Sequence, residues 1–256
     1  MKVKKPDETS SELYKSIYHD DLEAESEWLR RGAGEKAKSV GVLLRMHSIK
    51  VESIAELGCG TGEVIAECRK RNLCSRCLGV DSSEDAINSL RQNTPGIEGV
   101  VADITSPAFE LGEPFDLVLL SHVLEHIDDA RGFLASVKKL DFRYLIVEVP
   151  LLDLASGRLI SLFMKDRTAN LSGHVQFLTG RSLRRLLMAC GFSIVNARRY
   201  VPVLGMDTLR FLRSRHNYSF PVYARMVLGD WLRRLTRPVW SYLMYAHYAV
   251  LCKKTT

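Results

Sequence analysis

The sequence contains no run of about 18 apolar residues, so no helix long enough to span a membrane is predicted. No apolar stretch follows the basic and polar residues 1–6, and a secretory signal peptide is therefore not expected. Internal repeats and low-complexity tracts are absent as well. With 46% hydrophobic residues over 256 positions, the chain has enough apolar side chains for the core of one large α/β domain.

Cysteines are few, and their spacing does not complete the pattern of a metal-binding site. Cys74 and Cys77, with Cys68 nearby, have the spacing of half a zinc site, but no second Cys/His pair at ligand spacing lies close in sequence. Scattered thiols in predicted strands and helices are typical of a reducing compartment. We therefore predict a cytoplasmic chain with free thiols and no zinc site. The six cysteines are Cys59, Cys68, Cys74, Cys77, Cys190 and Cys252.

Acidic residues are scarce in the second half of the chain. Residues 1–150 carry 19 Lys/Arg and 26 Asp/Glu, whereas residues 151–256 carry 17 Lys/Arg and only 4 Asp/Glu. A strongly basic half indicates an anionic partner: a nucleic acid, a phosphorylated small molecule or a membrane surface. The alternative is a solvated basic face that binds nothing.

One short stretch is more informative than any other. Residues 54–62 read Ile-Ala-Glu-Leu-Gly-Cys-Gly-Thr-Gly, and a helical pattern begins at Glu63. Glycine is needed where the backbone takes a positive φ or approaches a ligand closely. The free N–H groups at a helix start then point toward that ligand. The pattern predicts a strand, a tight glycine turn and a helix that together bind a cofactor.

The spacing of the glycines departs from a dinucleotide fingerprint, in which the third glycine comes one residue later. Glu63 at the helix start would also repel a pyrophosphate. S-adenosylmethionine has no phosphate, and its sulfonium and amino groups are cationic. The stretch resembles the first motif of class I S-adenosylmethionine-dependent methyltransferases, an acid, any residue, then G-x-G-x-G.

Later strands strengthen this resemblance. Apolar runs end in acids at Asp81 and Asp103, and another run, residues 115–121, leads into His122. The resemblance implies that Asp81 binds the ribose hydroxyls and that Asp103 with its neighbour contacts the adenine. The alternative is an ordinary nucleotide-binding α/β domain whose acids cap helices. The predicted cofactor-binding residues are Glu56, Gly58, Cys59, Gly60, Gly62, Asp81, Ser82, Asp103, Ile104 and Ser121.

The resemblance implies a Rossmann-like α/β fold, with a seven-stranded, mostly parallel sheet, helices on both faces and an antiparallel last strand. We predict an N-terminal helical lid over residues 1–47 and a cofactor-binding domain over 48–256. Cap insertions are expected at about 151–178 and 202–244, and the last two strands at 192–201 and 245–253. Tyr14 and Tyr18 have the helical spacing either of lid residues or of core residues.

Three histidines are candidates for a general base, which a hydroxyl acceptor needs because it loses its proton on attack. They are His122 after the fourth strand, His126 four residues later, and His174 before a helix. Each of these histidines could instead have a purely structural role, and for His126 we favour that interpretation. Some members of the family bind a divalent metal through Glu-x-x-Glu-His and a later His. Here the set would be His122, Glu125, His126 and His174, with His in place of the first Glu, and we expect no metal.

The sequence leaves the methyl acceptor open. We expect a small metabolite that accepts on oxygen or nitrogen and carries phosphate or carboxylate, with S-adenosylhomocysteine as the second product. Residues 222–248 mix aromatic side chains with arginines, a pattern typical of a cap helix packed on the domain with its arginines in solvent. The same mixture makes RNA or a lipid-linked acceptor at a membrane surface the first alternative. The second is a non-catalytic regulator that binds S-adenosylmethionine. The sequence gives no prediction of the oligomeric state.

Overall fold

A computed structural model describes residues 10–151, 175–176, 178–202, 205–235 and 246–255. The strands are β1 (Ser53–Leu57), β2 (Arg76–Asp81), β3 (Glu98–Val101), β4 (Phe115–Ser121), β5 (Phe142–Leu151), β6 (Phe192–Tyr200) and β7 (Ala246–Lys254). The helices are α1 (Ser10–Met46), α2 (Glu63–Lys70), α3 (Glu84–Asn93), α4 (Ala130–Lys139), α5 (Gly180–Ala189), α6 (Met206–His216) and α7 (Phe220–Leu235). A single 3₁₀ turn, Leu124–His126, follows β4.

The seven strands form one sheet in the order β3-β2-β1-β4-β5-β7-β6. The pairs from β3 through β5 are parallel, and β7 lies antiparallel between β5 and β6. All five residues of β1 are buried, as expected for a parallel strand covered on both faces. The predicted Rossmann-like sheet with an antiparallel last strand is confirmed.

Two apolar clusters cover opposite faces of the sheet and confirm the helices predicted there. One includes Phe133 and Leu134 of α4 and Leu183 of α5. The other includes Ala37 of α1 and Ile65 of α2. Strand order reverses between β1 and β4, so the carboxyl ends of these strands open the crevice in which α/β sheets bind ligands.

Most of the helical segment predicted over residues 1–47 is present as α1, but this helix is not continuous. Asp21 has φ −152° and ψ 58°, which are not helical angles, and the axis kinks there. The segment before the kink carries Tyr14 and Tyr18. The segment after it packs on the sheet through Ala37, Val40 and Leu43.

The structure describes different fractions of the two predicted cap insertions. Most of 151–178, including His174, lies outside the described residues. The described part of 202–244 contains α6 and α7, and Pro221 stands in the first turn of α7, where its missing N–H costs no hydrogen bond. Within the described residues, no helix is long and apolar enough to cross a membrane.

Candidate functional site

The glycine turn after β1 has the backbone that its sequence predicts. Gly58, Gly60 and Gly62 have φ of +73°, +55° and +78°. A Cβ on Gly60 would collide with the hydroxyl of Tyr18, and one on Gly58 would lie 2.6 Å from Cγ2 of Val123. Both backbone angle and close packing therefore require glycine at these positions.

We expect Gly60→Ala to lower the free energy of unfolding more than Gly112→Ala does. Both glycines have positive φ, but a Cβ on Gly112 meets nothing within 4 Å. Gly112→Ala therefore measures the backbone cost alone, about 1 kcal/mol, and Gly60→Ala adds the collision with Tyr18. Urea unfolding of both variants measures the difference. Equal losses of unfolding free energy in the two variants would show that Tyr18 of α1 does not pack closely against the turn.

Glu56 connects the end of β1 to the start of α2. Its carboxylate is buried, and Oε2 accepts a hydrogen bond from the N–H of Ile65 at 3.0 Å. The side chain thereby satisfies one free donor in the first turn of α2. Burial raises the pKa of Glu56 to about 8, and the cationic Lys36 only partly offsets it.

Asp81 ends β2 and faces the same turn. Its Oδ2 accepts from the N–H of Gly60 at 2.8 Å, and its Oδ1 accepts from the N–H of Ser83 at 2.9 Å. Burial raises the pKa of this carboxyl, although these N–H donors oppose the shift. Ser82 and the N-cap residue Ser83 lie between Asp81 and the start of α3. The predicted ribose-binding carboxylate therefore lies within the crevice.

The two residues predicted at the adenine lie in the loop after β3. Asp103 is exposed, and its Oδ1 accepts from the backbone N–H of Thr105 at 2.9 Å. Ile104 is partly buried against the core, and its Cδ1 would lie 3.7 Å from a Cβ on Gly58. Ile104 thus borders the glycine turn, whereas the carboxylate of Asp103 is held in its own loop.

Two buried hydroxyls at this edge lack hydrogen-bond partners among the described residues. They are Oγ1 of Thr61, within the turn, and Oγ of Ser121, the last residue of β4. Buried hydroxyls are nearly always hydrogen-bonded in folded proteins. Together with the glycine backbone and Asp81, they fit a polar cofactor in the crevice. Cys59 is buried beside them, and burial raises the pKa of its thiol.

Tyr14 and Tyr18 bring α1 onto this edge. Tyr18 is buried with its hydroxyl against Gly60, whereas Tyr14 is half-buried with its hydroxyl 3.1 Å from Nε2 of His126. Burial raises the pKa of both phenols. The lid role stays a prediction, and its geometric basis is that α1 covers the turn through Tyr18.

His122 is the centre of a second polar group at the carboxyl ends of β4 and β5. It has φ +60°, which is unusual for a residue other than glycine. Its Nδ1 lies 3.1 Å from Oε1 of Glu125, and its Nε2 lies 3.2 Å from Nδ1 of His247. The same Nε2 lies 3.6 Å from Oε1 of Glu148. Glu125 and Glu148 are both almost fully buried.

The charges of this group follow from burial and from mutual attraction. Burial and Lys36 lower the pKa of His122, but Glu125 and Glu148 outweigh them and raise it. Burial alone would raise the pKa of Glu125, yet His122 lowers it to about 2. Burial lowers the pKa of His247 to about 4. The two carboxylates therefore favour the imidazolium form of His122, whereas burial favours the neutral form of His247.

Sequence reasoning missed Glu148, His247 and Tyr200. The Tyr200 hydroxyl donates to Oε1 of Glu148 at 2.8 Å and lies 3.3 Å from Nδ1 of His247. Glu148 stands inside the apolar strand β5, where a charged residue is unusual unless it is paired. That isolated glutamate was the available signal. The histidine and tyrosine come from β7 and β6, and no local pattern links them to β5.

The other predicted histidines do not join this group in the described residues. His126 contacts Tyr14 at the far side of Glu125, and His174 lies outside the described residues. The neighbouring Val175 donates its N–H to the carbonyl oxygen of Glu125 at 2.9 Å. Of the predicted metal set, the structure therefore brings together His122 and Glu125. The six cysteines are free thiols, and Sγ of Cys74 lies 3.0 Å from Sγ of Cys77.

Comparisons with known proteins agree with this architecture. A family model described as a methyltransferase domain matches residues 22–197. A trans-aconitate 2-methyltransferase of Azoarcus sp. (strain BH72) is 32% identical over 98 residues, which are 38% of each chain. The match thus spans less than half the length of this curated relative.

Two solved structures share the fold across nearly the whole chain. The [4+2]-cyclase SpnF aligns with TM-score 0.65 and 13% identity over 97% of each chain. A magnesium protoporphyrin IX methyltransferase from Synechocystis PCC 6803, with bound S-adenosylhomocysteine, aligns with TM-score 0.62 and 13% identity over 95% of this chain and 99% of that one. At such identities the likeness shows the fold alone, and one of these proteins is named as a cyclase.

Proposed function

The chain belongs to the methyltransferase-domain family, and we propose that it transfers the methyl group of S-adenosylmethionine to an oxygen atom of a small-molecule acceptor. One observation carries the proposal. The cofactor-type turn after β1 and the His122 group after β4 open on the same edge of the sheet. Val123, next to His122, packs directly against Gly58 of the turn.

S-adenosylmethionine supplies a methyl group on a sulfonium, which is already activated and leaves as neutral S-adenosylhomocysteine. The chain's own task is to hold the acceptor in line with that methyl and to exclude water. The glycine turn, Asp81 and the unpartnered hydroxyls of Thr61 and Ser121 support cofactor binding. Tyr18, buried over Gly60, supports closure of the crevice by α1.

His122 is the proposed proton acceptor. Its ring lies between Glu125 and Glu148, whose carboxylates stabilise the imidazolium that forms when a hydroxyl loses its proton. Both carboxylates are buried, so water screens this attraction little. A basic side chain is of use to a hydroxyl acceptor and of less use to an amine. This arrangement therefore favours methylation of oxygen.

The acceptor that we propose carries carboxylate or phosphate. The basic excess of residues 151–256 supports an anionic molecule. The matched relative is named for trans-aconitate, a carboxylate. An acceptor panel should therefore begin with hydroxylated carboxylates and phosphate esters, each paired with its neutral analogue.

The experiment that tests the function follows radiolabelled methyl from S-adenosylmethionine into a lysate separated into metabolite, lipid, RNA and protein fractions. Label in the metabolite fraction supports the proposal, and it should fall when His122→Asn replaces the wild type. Label in the RNA or protein fraction contradicts the proposed acceptor. Binding of S-adenosylmethionine without label in any fraction contradicts catalysis and favours the regulator.

A lipid-linked acceptor is the second candidate, and the surface of α7 favours it. Leu228, Trp231 and Leu235 are spaced at one helical turn and are 56%, 55% and 63% exposed. Arg234 on the same helix pairs with Asp230 at 2.9 Å. Exposed apolar residues beside arginines are typical of helices that lie on anionic membranes.

If the acceptor is lipid-linked, the double variant Leu228→Glu with Trp231→Glu should lose sedimentation with phosphatidylglycerol vesicles, because it removes the apolar contact and adds repulsion. Met188→Glu is the matched control, since Met188 is similarly exposed, at 52%, but lies on α5. Wild-type protein that does not sediment even at low salt would exclude this candidate.

A further inference from the structure

The methyl transfer proposed above uses His122 with Glu125 and Glu148 but leaves His247 and Tyr200, which also contact Glu148, without a role. Three atoms that are common metal ligands converge there: Nε2 of His122, Nδ1 of His247 and Oε1 of Glu148. All lie within 4.8 Å of one another. They come from the end of β4, from β7 and from β5, so the sheet itself fixes their positions.

The spacing of these atoms matches a metal site. Four-coordinate ions of the zinc type bind nitrogen and oxygen at about 2.0–2.2 Å, which places neighbouring ligand atoms about 3.3–3.6 Å apart in a tetrahedron. The three separations here are 3.1 Å from His247 to Glu148, 3.2 Å from His122 to His247, and 3.6 Å from His122 to Glu148. The longest separation matches the tetrahedral value and the other two are slightly shorter, so small side-chain shifts would place the three atoms at corners of such a tetrahedron.

The surrounding charge also fits a cation. Glu125 and Glu148 are 2% and 1% exposed, and in the described part of the chain their ion-pair partners are histidines, with no lysine or arginine. Among the described residues, both oxygens of Glu125 are buried without a geometrically satisfied hydrogen bond, and Oε1 lies 3.1 Å from Nδ1 of His122. Two buried carboxylates that share one imidazolium still leave a net negative charge, which is costly to bury. A divalent ion would offset that cost.

The next layer of contacts resembles the support that metal ligands receive in proteins. Glu125 lies beside the ring nitrogen of His122 that faces away from the three ligand atoms. Tyr200 donates a hydrogen bond to the ligand oxygen of Glu148. Carboxylates behind histidines, and hydrogen bonds to ligating carboxylates, orient ligands in this way. The side chain of His122 is 20% exposed, against 8% for His247, so an ion would enter from the His122 side.

We propose that His122, His247 and Glu148 bind one divalent first-row transition-metal ion. Two imidazoles and one carboxylate suit zinc, manganese, iron, cobalt or nickel, whereas magnesium and calcium prefer oxygen ligands throughout. Three protein ligands leave a fourth position open, as in catalytic rather than structural sites. This ligand set differs from the one considered from the sequence, because Glu148 and His247 replace Glu125, His126 and His174.

Binding of the ion is independent of the methyl acceptor. One consequence rests on the proposed function: an acceptor hydroxyl at the open position would have its pKa lowered by the ion and would release its proton to solvent before methyl transfer, and His122 would act as a ligand in place of a base. Ion binding and methyl transfer are measured separately, so failure of one is distinguishable from failure of the other.

The test is a titration of the full-length protein with Co²⁺ after chelator treatment and removal of the chelator. We expect visible d–d absorption bands of a four-coordinate site that saturate at one equivalent and disappear on addition of Zn²⁺. Glu148→Gln and His247→Gln should weaken Co²⁺ binding by at least about 10- to 100-fold. His19→Asn is the matched control, because this histidine lies on the surface beside Asp85, and it should bind as the wild type does.

Two results would overturn the site: wild-type protein without the bands, or Glu148→Gln and His247→Gln variants that bind Co²⁺ as tightly as the wild type. If circular dichroism shows that neither variant folds, the site is tested by the number of Co²⁺ equivalents that the wild type and the Tyr200→Phe variant bind. Tyr200→Phe keeps all three ligand atoms and should still bind one equivalent. Loss of methyl transfer in a protein that binds Co²⁺ normally would count against the proposed function and leave the ion site intact.

Discussion

Replacing His122 by asparagine is expected to lower kcat for methyl transfer by about 10²- to 10⁴-fold, the usual contribution of a positioned general base. The substitution removes the imidazole between Glu125 and Glu148. Asparagine is chosen because it tolerates the left-handed backbone that His122 adopts at φ +60°. Single-turnover measurements with saturating S-adenosylmethionine give the rate of the chemical step.

Two controls make the result specific. The dissociation constant for S-adenosylmethionine should stay at the wild-type value, since Asp81 and the glycine turn are unchanged. His19→Asn, at an exposed histidine on α1, should leave kcat unaltered. Were His126→Asn to lower kcat more than His122→Asn does, the base would belong with Tyr14, and the assignment to His122 would be wrong.

The second large effect concerns Glu56 and the dependence of stability on pH. The pKa of Glu56 is about 8 in the folded protein because of burial, whereas an unperturbed glutamate has a pKa of 4.5. Between these values the folded state holds a proton that the unfolded state has released. Stability therefore falls as pH rises from about 4.5 to about 8, with a slope of up to about 1.4 kcal/mol per pH unit from this one group.

Glu56→Gln should remove this contribution, because glutamine does not ionise and its amide oxygen still accepts from the N–H of Ile65. The variant and the wild type are expected to have similar stability near pH 4.5 and to diverge up to about pH 8, where the variant is the more stable. Urea unfolding without cofactor measures both curves. Glu98→Gln, at an exposed glutamate of β3, should leave the wild-type slope in place. Parallel curves for wild type and Glu56→Gln would mean that Glu56 is ionised in the fold.

The cofactor side of the site could be predicted from sequence because its signals are local. Gly58, Gly60 and Gly62 lie within five residues, and their positive φ values follow from glycine at those places. Asp81 could be placed because an apolar strand precedes it directly. Parallel strands covered on both faces also have continuous apolar runs, which makes strands such as β1 and β4 recognisable.

The acid–base side could be predicted only in part, because its members are brought together by strand pairing. Glu148 and His247 are separated by 99 positions and meet through the antiparallel pairing of β5 with β7. The sequence placed a last strand there but gave no register. A structural role was expected for His126, and its contact with Tyr14 of α1 could not be foreseen from helical spacing.

The position of β7 has a consequence for synthesis and folding. This strand follows all the others along the chain, yet it pairs on both sides, with β5 and with β6. Until it emerges from the ribosome, β5 and β6 present unpaired edges that can join other chains. His247 lies on the same strand, so the polar group around Glu148 is incomplete until β7 has paired with β5. A nascent chain that already binds its cofactor at the glycine turn would therefore still lack the complete acid–base group.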